Sequence, residues 1–288
     1  MGTDARVSAK VSEGDMPLAA LAGKDRALAV IVGVEGTSYR PLGASMAVDG
    51  SGHRTGNLSS GCIDEDVALH AQQALLDGQA RQLRYGAGSP FADLALPCGG
   101  GLDILILPRP EQGAVQAAAA ELAARRTAVL DLGAITLHIQ PELRFLVFGK
   151  GPEAATFADL ARLAGFGVEL FSPEAMDVPS GVAAVPMVSP RWPEGVAIDP
   201  RTAITLFFHD HDWEPPLLAA ALSSPALYIG AQGSHRARQA RRRALEEIGV
   251  PEDAINRLAD PFGLIPSARD ARTLAVAVLA DVLARAKA

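Results

Sequence analysis

Apolar residues fill the chain from Ala27 to Val34, interrupted only by Gly33. An unbroken apolar run of this length predicts a buried strand over 27–35. Gly36 to Gly43 is then a loop, and it carries Arg40. Ala44 to Val48 reads as a second strand, closed by the turn Asp49-Gly50-Ser51-Gly52. A third short strand is expected before Ser59. The period then changes: Ile63, Val67, Ala71, Ala74 and Leu75 fall on one side of a helix over 63–76. Leu102 to Leu107 is a strand stopped by Pro108 and Pro110, and Gln112 to Arg126 an alanine-rich helix. Ala128 to Ile139 reads as a hairpin around Gly133.

Pro141 marks the expected domain boundary, giving domains 1–140 and 141–288. Beyond it strands (143–148, 167–171, 203–207, 226–229) mix with helices (153–164, 214–222, 235–248). That order implies a mostly parallel sheet with helices on its faces. The predicted class is therefore α/β, with an N-terminal α+β domain followed by a Rossmann-like domain. Residues 176–200, rich in Pro and Val, carry no assignable pattern, and Arg269 to Ala286 reads as a terminal helix with Leu274, Val278, Leu279 and Val282 on one face.

Composition narrows the function classes. A formal charge of −7 with 20% charged residues argues against a general nucleic-acid binder. Aromatics at 5% leave few base-stacking platforms. No apolar run reaches membrane-spanning length, and Met1 to Gly14 lacks a signal-peptide core. The expected compartment is the cytoplasm, where the two cysteines of the chain stay reduced.

Both cysteines sit in glycine-rich turns: Ser59-Ser60-Gly61-Cys62 and Pro97-Cys98-Gly99-Gly100-Gly101. Glycines let a backbone bend sharply and approach a bound group. The pattern reads as two thiols presented to a metal, a sulfur-bearing cofactor or each other; the alternative is two inert core thiols. Cys62 is placed at a helix N-terminus, which favours thiolate, while Asp64, Glu65 and Asp66 oppose it.

Phe148-Gly149-Lys150-Gly151-Pro152-Glu153-Ala154 is a strand running into Gly-x-Gly-x-x-Ala and a helix, the setting of a dinucleotide turn. Pro152 removes a backbone donor, Glu153 puts negative charge where phosphate would lie, and Ser172 stands where a ribose-binding acid is expected. A second phosphate-like turn is Gly230-Ala231-Gln232-Gly233-Ser234-His235-Arg236, with Ser234 as helix cap. Arg236 is close enough to that cap to meet an anion; the arginines after it either face solvent or pair with Glu246 and Glu247. Ala237, Ala240, Ala244, Leu245 and Ile248 are available for the apolar face. His209-Asp210-His211-Asp212 follows an apolar strand end, where open α/β sheets bind ligands.

Together these residues resemble the XdhC/CoxI family, accessory proteins of xanthine dehydrogenase and related molybdenum hydroxylases. The matching stretches are Gly33 to Ala44, Ser59 to Asp64, Pro97 to Gly100, Phe148 to Gly151, His209 to His211, Tyr228 to Ser234 and Pro261 to Leu264. They are collinear over most of residues 27–285. The resemblance implies a chaperone rather than a catalyst. Its ligand is molybdenum cofactor, as molybdopterin or its dinucleotide form. It assists maturation and insertion into an apo-hydroxylase such as xanthine dehydrogenase, with a cysteine desulfurase as a further partner. On this resemblance Cys62 and Cys98 are functional thiols acting at one site near the molybdenum. Arg40, Gly61, Gly99 and Gly100 lie beside them. Gly149, Gly151, Gly230, Gly233, Ser234 and Arg236 hold phosphate, and His209, Asp210 and His211 line the same ligand. The chain departs from the family where Ser60 replaces a glycine, Asp64 a glutamate, and Lys150 and Pro152 the Ala and His of Gly-Ala-Gly-His. A homodimer is expected because two-fold assemblies are the commonest oligomers. The rival classes are an NAD(P)-dependent oxidoreductase built on the Rossmann-like half, and a metal-dependent hydrolase built on His209, Asp210 and His211.

Overall fold

The computed structural model describes residues 7–59, 61, 63–89, 99–175, 177–209 and 212–286. They form two compact units that divide between Pro141 and Glu142.

The first unit runs β1 (Val7–Ser12), β2 (Arg26–Glu35), β3 (Ser45–Asp49), β4 (Arg54–Gly56), α1 (Asp64–Asp77), β5 (Arg81–Gly86), β6 (Gly101–Pro108), α2 (Gln112–Ala123), β7 (Ala128–Asp131) and β8 (Ile135–Gln140). Five strands make an antiparallel sheet in the order β4-β3-β2-β6-β5, and β1-β8-β7 make a second sheet. The central strand β2 explains why its sequence is apolar throughout. Side chains alternate across a strand. Ala27, Ala29 and Ile31 meet Val67, Ala71 and Ala74 of α1 on one face. Leu28 and Val30 belong to the core on the other face, with Val115 and Ala118 of α2 and Leu137 of β8.

The second unit runs β9 (Arg144–Gly149), α3 (Gly151–Leu163), β10 (Gly167–Ser172), β11 (Ala184–Pro186), β12 (Thr202–Phe207), α4 (Glu214–Leu222), β13 (Tyr228–Ala231), α5 (His235–Glu247), α6 (Glu252–Ile255) and α7 (Ala271–Ala286). Its sheet is all parallel in the order β11-β10-β9-β12-β13. This is the doubly wound arrangement expected of a Rossmann-like half. Phe145 and Val147 of β9 pack with Phe157 and Ala161 of α3 and Val278 of α7. Leu146 and Phe148 face Leu217 and Leu218 of α4 and Leu245 of α5. The strand order reverses between β9 and β12, which is where such sheets open a ligand crevice at their C-terminal ends.

Three strands were not anticipated. β1 pairs in parallel with β8, β5 pairs with β6 at the sheet edge, and β11, within the unassigned segment 176–200, pairs in parallel with β10. The expected helix over 112–126 stops at Ala123, and the strand expected over 226–229 forms at Tyr228–Ala231. No helix among the described residues is long and apolar enough to cross a membrane.

Candidate functional site

In the first unit, strand pairing collects three loops. β2 ends at Glu35 opposite Gly101, where β6 begins. β5 ends at Gly86, also opposite Gly101. β3 begins at Ser45 beside Val30 of β2, and β4 ends at Gly56 beside Met46. Loops 36–44, 57–63 and 87–100 therefore all leave the same end of the five-stranded sheet. The first carries Arg40; Cys62 and Cys98 belong to the other two and lie outside the described residues.

The flanks of Cys62 are tied to one carboxylate. Asp64, 6% exposed, accepts hydrogen bonds from Leu58 N (3.0 Å), Ser59 Oγ (3.1 Å) and Gly61 N (3.0 Å). Ser59 Oγ in turn accepts from Ile63 N at 3.0 Å. Gly61 has φ +107° with no atom near its missing side chain, so the backbone rather than crowding demands glycine there. On the other loop, a side chain on Gly100 would run into the carbonyl oxygens of Glu35 and Thr37. The Gly99–Gly101 turn thus lies against the base of the Arg40 loop. Arg40 itself is pinned: its guanidinium pairs with Asp15 at 2.5 Å. Arg84, at the end of β5, bridges Glu35 and Asp103 and donates to Ala87 O beside the same turn.

In the second unit, Gly149 closes β9, and a side chain there would lie 2.6 Å from Phe207 O and 3.0 Å from Ala154 Cβ. Its role is close packing of β9, β12 and α3. Gly151 has φ +77° and opens α3. The glycine turn does not fit a dinucleotide. Glu153 occupies the first turn of α3, and its Oε2 is shut off from solvent without a hydrogen bond. Ser172 is fully buried, its Oγ accepting from Glu174 N at 3.1 Å, so it does not present itself to a ribose. His209 follows β12 and brings Nε2 to 3.6 Å from Glu153 Oε2. Asp210 and His211 lie outside the described residues, and no group of three metal-ligating side chains occurs among those described.

The second turn behaves differently. Ser234 caps α5, accepting from Ala237 N at 3.2 Å. Beside it opens a cleft of about 600 Å³. Phe208 and His209 line it just beyond β12, Gln232 to His235 from the β13–α5 turn and Arg238 from α5, and Pro261, Phe262, Ile265 to Arg269 and Leu274 supply the far wall. Two expectations are corrected here. Gly230 is not a phosphate turn: it lies inside β13, and a side chain on it would strike the ring of Phe262 at 2.6 Å and that of Tyr228 at 2.8 Å. Arg236 is exposed and does not line the cleft; Arg238 and Arg269 do. The apolar face of α5 also differs from expectation. Ala240 and Ile248 are exposed, while Arg241 is 6% exposed and paired with buried Glu214.

The model of the XdhC Rossmann domain matches residues 145–282, and that of the XdhC and CoxI family matches residues 19–86. The molybdenum cofactor insertion chaperone PaoD of Escherichia coli is 32% identical over 284 residues, which span 92% of this chain and 84% of that protein. The chain belongs to the XdhC and CoxI family. A probable xanthine dehydrogenase subunit of Bacillus subtilis is 52% identical over 44 residues, 15% of this chain and 13% of that one. The crystal structure of a xanthine dehydrogenase from Bacillus halodurans superposes with a TM-score of 0.74 over 94% of each chain at 21% identity, a likeness of fold. Membership supports an accessory role connected with molybdenum cofactor.

Sequence reasoning missed Asp64 as the anchor of the Cys62 turn, the Glu153–His209 contact, Arg84, and Arg269 as a cleft residue. Asp64 carried a readable signal, an acid two residues beyond the Gly61-Cys62 turn. The others arise from chain segments far apart in sequence and carried none.

Proposed function

We propose that this protein binds molybdenum cofactor as cargo, protects it and hands it to an apo-hydroxylase of the xanthine dehydrogenase type. The observation that carries this reading is the convergence of loops 36–44, 57–63 and 87–100 at one end of one sheet. A soft, dithiolene-bound metal favours sulfur ligands and neighbours. Cys62 and Cys98 supply them, with Gly61, Gly99 and Gly100 letting the cargo approach the backbone and Arg40 at the rim. Kinship with a named insertion chaperone supports the same reading. The work takes place in the cytoplasm, with the protein as a homodimer and a cysteine desulfurase supplying sulfur to the cargo.

The test is anaerobic purification of the full chain from cells making the cofactor, with mass spectrometry of the released ligand and elemental molybdenum. The expected result is a stoichiometric pterin and molybdenum, lost in Cys62→Ser and Cys98→Ser while circular dichroism and melting are unchanged. A chain that carries no pterin overturns the proposal, and unfolding of both serine variants makes the cysteines structural.

A further inference from the structure

Two helices, one in each unit, turn matching stripes outward. α1 exposes Glu65, Leu69, Gln73 and Leu76 along one face. α7 exposes Arg272, Val276 and Ala280, with Leu283 half-buried after them. Both stripes keep the spacing that holds residues on one side of a helix, and their leading residues carry opposite charge.

The apolar members are not explained by the cores of their own units. Leu69 is 55% exposed, Leu76 89% and Val276 51%. None of the three joins a core cluster among the described residues. Leu264, also 55% exposed, extends the α7 face: its N–H donates to Ala277 O at 3.1 Å. A single exposed leucine is ordinary, whereas apolar side chains aligned on one face mark a contact surface.

Charge points to the occupant. The first turn of α1 holds Asp64, Glu65 and Asp66. The ion pairs of α1 among the described residues use Asp66 and Asp77 and leave Glu65 out. On α7 the ion pair is Arg285 with Asp281. Arg272 has Asp270 near it but is in no ion pair among the described residues. With the two helices side by side and parallel, Glu65 meets Arg272, Leu69 meets Val276, Gln73 meets Ala280 and Leu76 meets Leu283. An antiparallel pairing sets Leu76 against Arg272 and Glu65 against Leu283, which wastes both charges.

We propose that α1 of one copy packs in parallel against α7 of a second copy, and that the exchange is reciprocal in a two-fold dimer. The occupant is a second copy because the complementary face lies on the chain itself. One such helix pair is small beside the roughly 800 Å² that each partner of a stable complex buries. Two-fold symmetry forms it twice and leaves neither face open to further copies. The interface rests on the homodimer of the preceding reading and not on its cargo.

Sedimentation equilibrium of the full chain tests it. The expected result is a reversible dimer whose dissociation constant rises about tenfold or more in Glu65→Arg and in Arg272→Glu, since each sets like charges opposite one another at both contacts. The double variant, Glu65→Arg with Arg272→Glu, returns to within about threefold of the unaltered chain. An equimolar mixture of the two single variants does the same, because each meets its complement in the other chain; a contact inside one chain does not respond to mixing. Leu76→Asp weakens the dimer about tenfold, and Val188→Asp, fully exposed and outside both helices, changes it less than about twofold. A chain that stays monomeric at every concentration overturns the proposal. So does a dimer indifferent to both single charge reversals, or one that neither the double variant nor the mixture restores. Molybdenum content of the same preparations separates the two readings. Cargo held by a monomer removes the interface alone; a dimer that behaves as expected without cargo removes the chaperone reading alone.

Discussion

Arg241 of α5 and Glu214 of α4 form a two-pronged ion pair inside the second unit, Nε to Oε2 at 2.8 Å and Nη2 to Oε1 at 3.0 Å. The side chains are 4% and 1% exposed. The same guanidinium donates to the carbonyl oxygens of Ala231 (3.3 Å) and Gln232 (2.5 Å). One side chain therefore holds two helices together and fixes the turn that walls the cleft. A buried pair is costly to break because the surviving partner keeps its charge in a dry setting.

Arg241→Ala should accordingly destabilise the second unit by about 3–5 kcal/mol. Removing both charges together, as Arg241→Met with Glu214→Leu, should cost less than the single change. Chemical denaturation of the three variants checks the order. A single variant no less stable than the double would show that the pair carries no buried-charge penalty.

Asp64 gives the corresponding prediction in the first unit. Its carboxylate accepts from Leu58 N, Ser59 Oγ and Gly61 N. Asp64→Ala frees both flanks of the Cys62 turn and leaves two buried donors unpaired, a loss of about 2 kcal/mol or more. Asp64→Asn keeps the shape and one acceptor, so its loss should be smaller. The rate of Cys62 alkylation by iodoacetamide, measured in a Cys98→Ser background, should rise in Asp64→Ala under conditions where the fold is intact. An unchanged rate would separate Asp64 from the presentation of the thiol.

Gly230 tests a corrected expectation. A methyl group there meets Phe262 at 2.6 Å. Gly230→Ala should destabilise by about 1–3 kcal/mol, the usual cost of overpacking. Phe262→Leu combined with it should recover part of the loss, because the clash is with that ring. Melting temperatures of the single and double variants decide the matter; additive losses would place the strain elsewhere.

What could be read from the sequence follows from where burial is decided. β2, β9 and β12 are covered on both faces, so their residues are mostly apolar, with Thr205 a buried polar exception in β12, and their existence was legible. α1 and α7 carry one apolar stripe each and were equally plain. β1 and β5 were not. Val7–Ser12 includes Lys10 and two serines, and Arg81–Gly86 has two arginines and a glutamine. Their few buried side chains, Ala9 and Val11 of β1 and Tyr85 of β5, make too short a pattern to read without the partner strands β8 and β6. The same reason hid Arg241 and Glu214: charged residues read as surface unless the partner, 27 positions away, is known. The glycine motifs were visible, but their meaning was not. Gly149 and Gly230 are explained by close packing against Phe207 and Phe262, which no local pattern announces.

The last prediction concerns two tyrosines. Tyr85 is buried and its hydroxyl donates to Asp66 at 2.6 Å. Tyr228 is buried, donates to Asp281 at 2.8 Å and lies under the Arg285 guanidinium. Burial first, and the neighbouring carboxylate second, push both phenols well above the ordinary tyrosine range. The folded state therefore keeps protons that the unfolded chain releases above about pH 10. The stability these phenols contribute is complete below that pH and declines as pH rises past it. Tyrosinate absorbance of the native protein should show at most one of the three tyrosines ionised at about pH 11. The other two should appear together with loss of the folded signal. Tyr228→Phe should reduce the alkaline loss of stability, since it removes one ionisable group, while leaving Asp281 bonded to Arg285 at 3.1 Å. Ionisation of all three phenols before unfolding would show that these hydroxyls are open to water and that the Asp66 and Asp281 contacts are not maintained in solution.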